Sequence, residues 1–198
     1  MSHQVFLLSP ANCGGKRAGY LMRTQARFDL ARRLRAEGAT IGECFAFMSG
    51  LYFRGKLAYA AAFATPPAGV GGAHVIVPGH GLLPPDHRVS LADLEAIAAV
   101  EVDEDEPRFV RPLQASVVDL ASKLGPADTV VLLGSVATQK YLQPLTGILG
   151  GRLRYPREFV GKGDMSRGSI MLKSAAAMQE LTYIAPGRDA GAPLVGAL

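Results

Sequence analysis

Residues 9–19, SPANCGGKRAG, combine backbone and side-chain groups that bind anions. Gly14 and Gly15 let the backbone approach a ligand closely, and the cations Lys16 and Arg17 follow at once. These glycines lack the spacing of a Walker motif, which argues against binding of a nucleoside triphosphate. Asn12 precedes them and could hydrogen-bond the edge of a base. The segment therefore predicts an anion-binding loop, and a tight turn without a ligand is the alternative.

A second Gly-rich segment, residues 159–169 (FVGKGDMSRGS), contains the carboxylate best suited to catalysis. Asp164 lies between Lys162 and Arg167, and flanking cations favour the ionised form of a carboxyl group. An ionised carboxylate can activate water or stabilise an oxocarbenium ion during glycosidic cleavage. The alternative is a salt-bridged surface loop.

The segment PGHGLLPPD, residues 78–86, offers a second acid/base pair, His80 with Asp86. A structural turn is the alternative here. The spacing of His74, His80 and His87 fits neither a helical pair nor a zinc finger, so neither a metal nor another cofactor is expected. Two cysteines are too few for a disulfide framework, and both are predicted to be reduced thiols.

Clustered cations favour a polyanionic partner. Five arginines lie within residues 23–35 beside a single acid, Asp29, whereas residues 101–106 (EVDEDE) are mostly acidic. Tyr52, Arg54 and Lys56 occupy the first turns of a predicted helix, where an arginine can hold a phosphate. Solvated helix and loop surfaces are the alternative. The candidates for contacts with phosphates or a base are Lys16, Arg17, Arg23, Arg27, Arg33, Tyr52, Arg54, Lys162 and Arg167.

Alternating apolar and amphipathic segments predict an α/β fold: a mostly parallel sheet, helices on both faces, and a C-terminal β-hairpin or antiparallel edge. Ligands of such sheets bind beyond the carboxyl ends of the strands. Strands are expected at 4–8, 43–50, 73–79 and 128–135, with an edge strand at 151–156. Helices are expected at 24–38, 51–64, 90–100, 112–125 and 138–149. Residues 168–187 are expected to form two strands, joined near Ala177 by a turn or by one helical turn.

Residues 1–186 are predicted to form a single domain, followed by a loose tail at 187–198. The chain has neither an uninterrupted apolar run of about 18 residues nor an amino-terminal signal pattern. A soluble cytoplasmic protein with no membrane association and no obligate protein partner is therefore expected.

Several segments together resemble a bacterial family of uncharacterised domains that has an LYxGxLFRKAxxYAE segment and an HGLLxPD loop. They are LLSP, GLYFRGKLAYAAAFA, HGLLPPD and RLRYPREFVGKG. LLSPA and GLLPPD are more remotely similar to the YaaA DNA-binding proteins, which belong to a broader group with base-exchanging DNA and tRNA transglycosylases. The resemblance covers most of residues 4–165. It implies a nucleic-acid partner and cleavage or exchange of an N-glycosidic bond.

Residues and resemblance together predict a DNA glycosylase that removes a modified base, in antiviral defence or DNA-modification metabolism. The base would be flipped into a pocket, stacked on Tyr52 or Phe53 and contacted by Asn12. Asp164 or Asp86 would activate water, and His80 is a further acid/base candidate. No lysine is clearly placed for a Schiff base, so hydrolysis is favoured over a lyase reaction. Two alternatives remain: a non-catalytic YaaA-like DNA-binding protein and a soluble nucleoside or nucleotide N-ribohydrolase.

Overall fold

The computed structural model describes residues 2–187, and its main feature is one six-stranded sheet. The strands of this sheet are β1 (Gln4–Leu8), β3 (Ala73–Val77), β4 (Gly81–Leu83), β6 (Thr129–Leu133), β7 (Leu153–Pro156) and β8 (Tyr183–Ile184). Their order is β4-β3-β1-β6-β7-β8. The four inner strands run parallel, and the outer strands β4 and β8 are antiparallel to their neighbours. The predicted α/β fold with an antiparallel C-terminal edge is confirmed. Two short strands, β2 (Ala39–Thr40) and β5 (Arg88–Val89), pair separately.

Helices cover both faces of the sheet, as expected. They are α1 (Lys16–Met22), α2 (Asp29–Ala36), α3 (Ile41–Ser49), α4 (Leu51–Phe63), α5 (Leu91–Ala98), α6 (Pro107–Ser122), α7 (Gln139–Leu149) and α8 (Asp164–Ala177). Residues alternate between the faces along β1: Phe6 and Leu8 enter the core shared with α1–α5 and α8, and Leu7 enters the core shared with α6 and α7. None of the described helices is long and apolar enough to span a membrane.

The expected strand at 43–50 is wrong, because these residues belong mainly to α3. Thr40 and Glu43 form a capping box: the Thr40 hydroxyl accepts from the Glu43 amide, and the Glu43 carboxylate accepts from the Thr40 amide. The apolar run that follows is buried on most sides. A short apolar run without clear periodicity does not separate a buried helix from a strand.

The C-terminal segment also differs from expectation, since residues 168–177 belong to α8 and do not form the first strand of a pair. Its alanine-rich sequence favours a helix, which ends at Met178 in a left-handed conformation with φ of 50°. Only β8 follows, and it pairs with β7. The strand expected at the edge, β7, consequently lies between β6 and β8.

Smaller differences concern helix boundaries and the tail. The helix expected at 24–38 forms only as α2, and the one expected at 112–125 begins earlier, at Pro107. The helix at 90–100 is confirmed as α5, which Ser90 and Asp93 cap as a capping box. The predicted tail lies outside the described residues from residue 188 onward.

Candidate active site

A pocket of about 710 Å³ opens at the carboxyl edge of the sheet, beyond the central strand β1. Its walls come from residues 9–17 beyond β1, residues 97–102 at the end of α5, two residues each of α3 and α7, one residue each of α4 and α8, and Pro78 and Ser135 beyond β3 and β6. This is where parallel sheets bind ligands. The volume falls within the range of about 300–1,000 Å³ that is common for small-molecule sites.

The pocket brings together five of the residues singled out in the sequence. Asn12, Lys16, Arg17, Tyr52 and Asp164 all line it. A sixth, Arg167, contacts the Asp164 carboxylate. The remaining candidates are not among the lining residues: His80, Asp86, Arg23, Arg27, Arg33, Arg54 and Lys162.

Asn12 shapes the loop with one end of its amide and keeps the other end available. Its Oδ1 accepts the amide hydrogen of Gly14 at 2.9 Å, and its carbonyl oxygen accepts that of Gly15 at 3.4 Å. The Asn12 side chain is exposed, and Nδ2 has no hydrogen-bond partner among residues 2–187. In this conformation Asn12 can offer a ligand mainly a donor.

Asp164 is the first residue of α8 and does not lie in a loop, which corrects the expectation from its glycine neighbours. Arg167, one turn later, has a side chain only 5% exposed, and its Nη1 lies 3.3 Å from Asp164 Oδ1. Nε of the same guanidinium donates to the carbonyl oxygen of Phe159 at 3.3 Å. The Asp164 side chain is 66% exposed. A buried arginine therefore holds an accessible carboxylate, whereas Lys162 is exposed and forms no ion pair in the described chain.

Close packing of α4 against α8 sets the position of this carboxylate. A Cβ atom at Gly55 would lie 2.8 Å from the carbonyl oxygen of Gly168, and one at Gly168 would lie 2.8 Å from Cα of Tyr52. Real Cβ atoms do not approach backbone so closely. The two glycines thus allow the helix backbones to touch, and this contact places the start of α8 beside Tyr52.

Sequence reasoning placed Lys56 near the crevice but gave it no role. The residue is completely buried, and its Nζ donates to Ser9 Oγ at 2.8 Å and to the Ser9 carbonyl oxygen at 2.9 Å. Burial lowers the pKa of Lys56 to about 7, while Asp164 opposes that shift and Arg167 adds to it. The available signal was helical spacing: Lys56 follows Tyr52 by four residues and Phe53 by three, which places it on their apolar face.

Two tyrosines bring hydroxyl groups to the pocket. The Tyr52 hydroxyl is buried without a hydrogen-bond partner among residues 2–187, and burial raises its pKa to about 12. Burial also raises the pKa of Tyr141, which lines the pocket from α7. Both are neutral donors near pH 7. The Tyr52 ring carries Lys56 Nζ 3.8 Å from its centroid, so the ring face covered by Lys56 is unavailable for stacking on a base.

The His80–Asp86 pair is not formed in the described structure. His80 is exposed in the turn between β3 and β4, and its Nδ1 lies 3.2 Å from the Pro78 carbonyl oxygen. Asp86 is also exposed and makes neither a hydrogen bond nor an ion pair with His80. The two side chains are therefore separate from the pocket and from each other.

The arginines of residues 23–35 divide into two kinds. Arg33 bonds to Asp29 at 2.9 Å and to Glu43 at 2.8 Å, which lowers the pKa of Glu43 to about 2. Arg35 donates to the carbonyl oxygens of Arg23 and Ala26 and so ties the turn before α2. Arg23 and Arg27 are exposed and form no ion pair within residues 2–187. These two are the better candidates for phosphate contacts.

Within the described residues, no group of three His, Cys, Asp or Glu side chains is arranged to hold a metal ion. Comparisons of the chain with protein-family models, with curated proteins and with solved structures find no match.

Proposed function

We propose that the protein is a DNA glycosylase that hydrolyses the N-glycosidic bond of a modified base. The observation that carries the proposal is the accessible Asp164 carboxylate, held by Arg167 in the same pocket as the cations Lys16 and Arg17. A carboxylate stabilises the positive charge that develops on a sugar as its glycosidic bond breaks. Cations bind phosphate. The combination suits a substrate that has both a glycosidic carbon and a phosphate.

In the proposed reaction, Asp164 accepts a proton from water as the water oxygen bonds to the sugar carbon C1′. The bond from C1′ to the base breaks, and its electron pair leaves with the base. Arg167 keeps the carboxylate oriented. Asn12 donates from Nδ2 to an acceptor on the flipped base. A modified base of viral DNA would place the activity in antiviral defence.

A second candidate is an N-ribohydrolase that acts on free nucleosides or nucleotides. Glu101 lines the pocket, and it begins the acidic segment 101–106. Negative charge at this wall disfavours the passage of a long polyanion and is compatible with a small substrate.

The test is incubation with duplex DNA that carries natural, damaged or virus-type modified bases, in parallel with free nucleosides and nucleotides. Released bases are identified by mass spectrometry, and abasic DNA is detected as alkali-labile breaks. Base release from DNA supports the glycosylase, and turnover of free nucleosides alone supports the N-ribohydrolase. Steeply salt-dependent binding without any product supports a non-catalytic DNA-binding protein. The variant Asp164→Asn is the control for contaminating activity.

A further inference from the structure

Ser9, Tyr52 and Lys56 form a polar cluster at the wall of the pocket that the proposed hydrolysis does not yet use. Lys56 is fully buried, and no carboxylate in the described chain contacts its Nζ. Its partners are both oxygen atoms of Ser9 and the ring of Tyr52. A buried amine without a paired carboxylate is costly in a structure and is a common mark of functional sites.

The hydrogen bonds of this cluster direct its protons toward the pocket. Because Lys56 Nζ donates to Ser9 Oγ, the hydroxyl proton of Ser9 is left for another acceptor. Ser9 Oγ forms no second hydrogen bond among residues 2–187, although the hydroxyls of Tyr52 and Tyr141 lie near it, and Ser9 lines the pocket. The Tyr52 hydroxyl is in the same position, since it is buried, unpartnered in the described chain and part of the pocket lining. An occupant of the pocket therefore meets two unused O–H donors.

We propose that this cluster protonates the leaving nucleobase: Ser9 gives its hydroxyl proton to the departing base, Lys56 replaces that proton, and Tyr52 donates a hydrogen bond. This inference rests on the proposed glycosidic cleavage. Ser9 is the catalytic residue of the step, and Lys56 is a positioning and proton-supplying residue that acts through it.

The step balances with the hydrolysis at Asp164. As the electron pair of the C1′–N bond passes to the base, the Ser9 proton moves to that base, and an Nζ proton of Lys56 moves to Ser9 Oγ. Asp164 meanwhile takes the proton of the attacking water. The products are the free base and a sugar hydroxyl. Lys56 is left neutral and Asp164 protonated, and proton exchange with solvent restores both.

The charge environment of Lys56 suits this transfer. Burial lowers the pKa of Lys56 to about 7, so its ammonium gives up a proton more readily than an exposed lysine does. The charged groups that act on this pKa in the described chain come from α8: Asp164 raises it, and Arg167 lowers it. β1 contributes no titratable side chain, and Tyr52 contributes a neutral phenol. The protonated form is the active one, so the rate should fall as pH rises through about 7.

The experiment compares single-turnover rates of wild type, Ser9→Ala and Lys56→Met across pH 5.5–9. The probes are duplexes that contain uracil or 5-fluorouracil, together with the modified-base duplexes described above. Fluorine makes the base a better leaving group, which then needs less help from an acid. Ser122→Ala and Lys123→Met, at the end of α6 on the other face of the sheet, are matched controls. Circular dichroism checks that each variant is folded.

The single-turnover rates of Ser9→Ala and Lys56→Met should each be about 100-fold below the wild-type rate with uracil or the preferred base. A loss of this size is in the range expected for general-acid catalysis. With 5-fluorouracil the loss should shrink to less than about 10-fold, and Lys56→Met should no longer show the decline near pH 7. Equal losses with both bases, or an unchanged pH profile in Lys56→Met, would overturn the relay and leave the glycosylase intact. Should Lys56→Met not fold, the leaving-group comparison in Ser9→Ala decides. Absence of base release by wild type from every probe would overturn both proposals.

Discussion

The pocket and the 78–86 segment contain similar residues, yet their backbones make them different kinds of structure. In the pocket, the segment that follows β1 begins at Ser9 and lies opposite the first turn of α8, so Ser9 and Asp164 line the same space. In the 78–86 segment, the chain turns back after β3 and forms the antiparallel strand β4. His80 and Asp86 are consequently exposed and separate. Whether the polar residues of a Gly-rich segment come together in one site thus depends on the secondary-structure element that follows the segment.

The largest expected effect separates the two candidate carboxylates. Asp164→Asn keeps the size of the side chain and removes its charge, so we expect a loss of about 100-fold or more in single-turnover base release. Asp86→Asn is the matched variant outside the pocket and should retain the wild-type rate. Rates are measured with enzyme in excess over substrate DNA.

Retained DNA binding in Asp164→Asn, measured by fluorescence anisotropy, controls for a loss of substrate affinity. A normal rate in Asp164→Asn with a collapse in Asp86→Asn would reverse the comparison and move the catalytic role to the 78–86 segment. A normal rate in both variants would remove the carboxylate mechanism.

Alanine substitutions at two glycines test whether the position of Asp164 in the pocket depends on the contact between α4 and α8. Gly168→Ala forces a Cβ against the backbone of Tyr52, so we expect about 1–3 kcal/mol of destabilisation. A displacement of Asp164 by about 1 Å can also lower the rate of the folded enzyme by about 100-fold. Urea unfolding measures the first effect, and single-turnover rates below the unfolding transition measure the second.

Gly81→Ala is the partner variant in the 78–86 segment. Gly81 has a φ of 81°, and a Cβ there would meet the backbone of α6 at Pro112, so this substitution should destabilise the fold at least as much as Gly168→Ala. Its folded fraction should nevertheless turn over at the wild-type rate. Equal rates per folded molecule in the two variants would show that the helix contact does not position the site.

The sequence predicts those features of the fold and the site that depend on neighbouring residues, and it fails for those that depend on contacts between residues far apart in the chain. The apolar runs of β1, β3 and β6 and the capping box at Ser90 are local features, and each is found where the pattern indicates. The helix α3 follows an ambiguous apolar run, which local pattern does not resolve. Asp164 could be selected as a candidate because it lies in a Gly-rich segment between two cations, Lys162 and Arg167.

The surroundings of Lys56 and the burial of Arg167 could not be predicted in the same way. Lys56 is bonded to Ser9, which lies 47 residues earlier in the chain. The burial of Arg167 depends on α8, most of which was expected to belong to a strand pair. Long-range packing of this kind leaves no periodic signal in one sequence.

Substitutions of Asn12 in the pocket and of His80 in the 78–86 segment should change the rate less than the substitution of Asp164. Asn12→Ala removes the free Nδ2 donor from the pocket, and we expect a loss of about 10-fold in base release. The substitution also removes the bond from Gly14, so thermal unfolding is needed to show that the fold is kept. His80→Ala should stay within about 2-fold of wild type, the range of surface changes remote from a site. Equal losses in both variants would extend the functional surface to the turn after β3.

The smallest expected effect concerns the surface beyond the pocket. Arg27 is exposed and unpaired within the described residues, so Arg27→Glu should weaken DNA binding several-fold and lower the slope of log affinity against log salt by about 1. Arg111→Glu makes the same change of charge on α6, which packs against β4, and should leave that slope unchanged. Arg33→Glu should act mainly on stability, because it breaks the ion pairs with Asp29 and Glu43. If Arg27→Glu and Arg111→Glu alter the slope of log affinity against log salt equally, the net charge of the protein alone explains the binding. The side of the molecule that carries the pocket then has no preferred surface for phosphates. A change confined to Arg27→Glu extends the binding surface from the pocket to the turn before α2 and leaves the 78–86 side outside it.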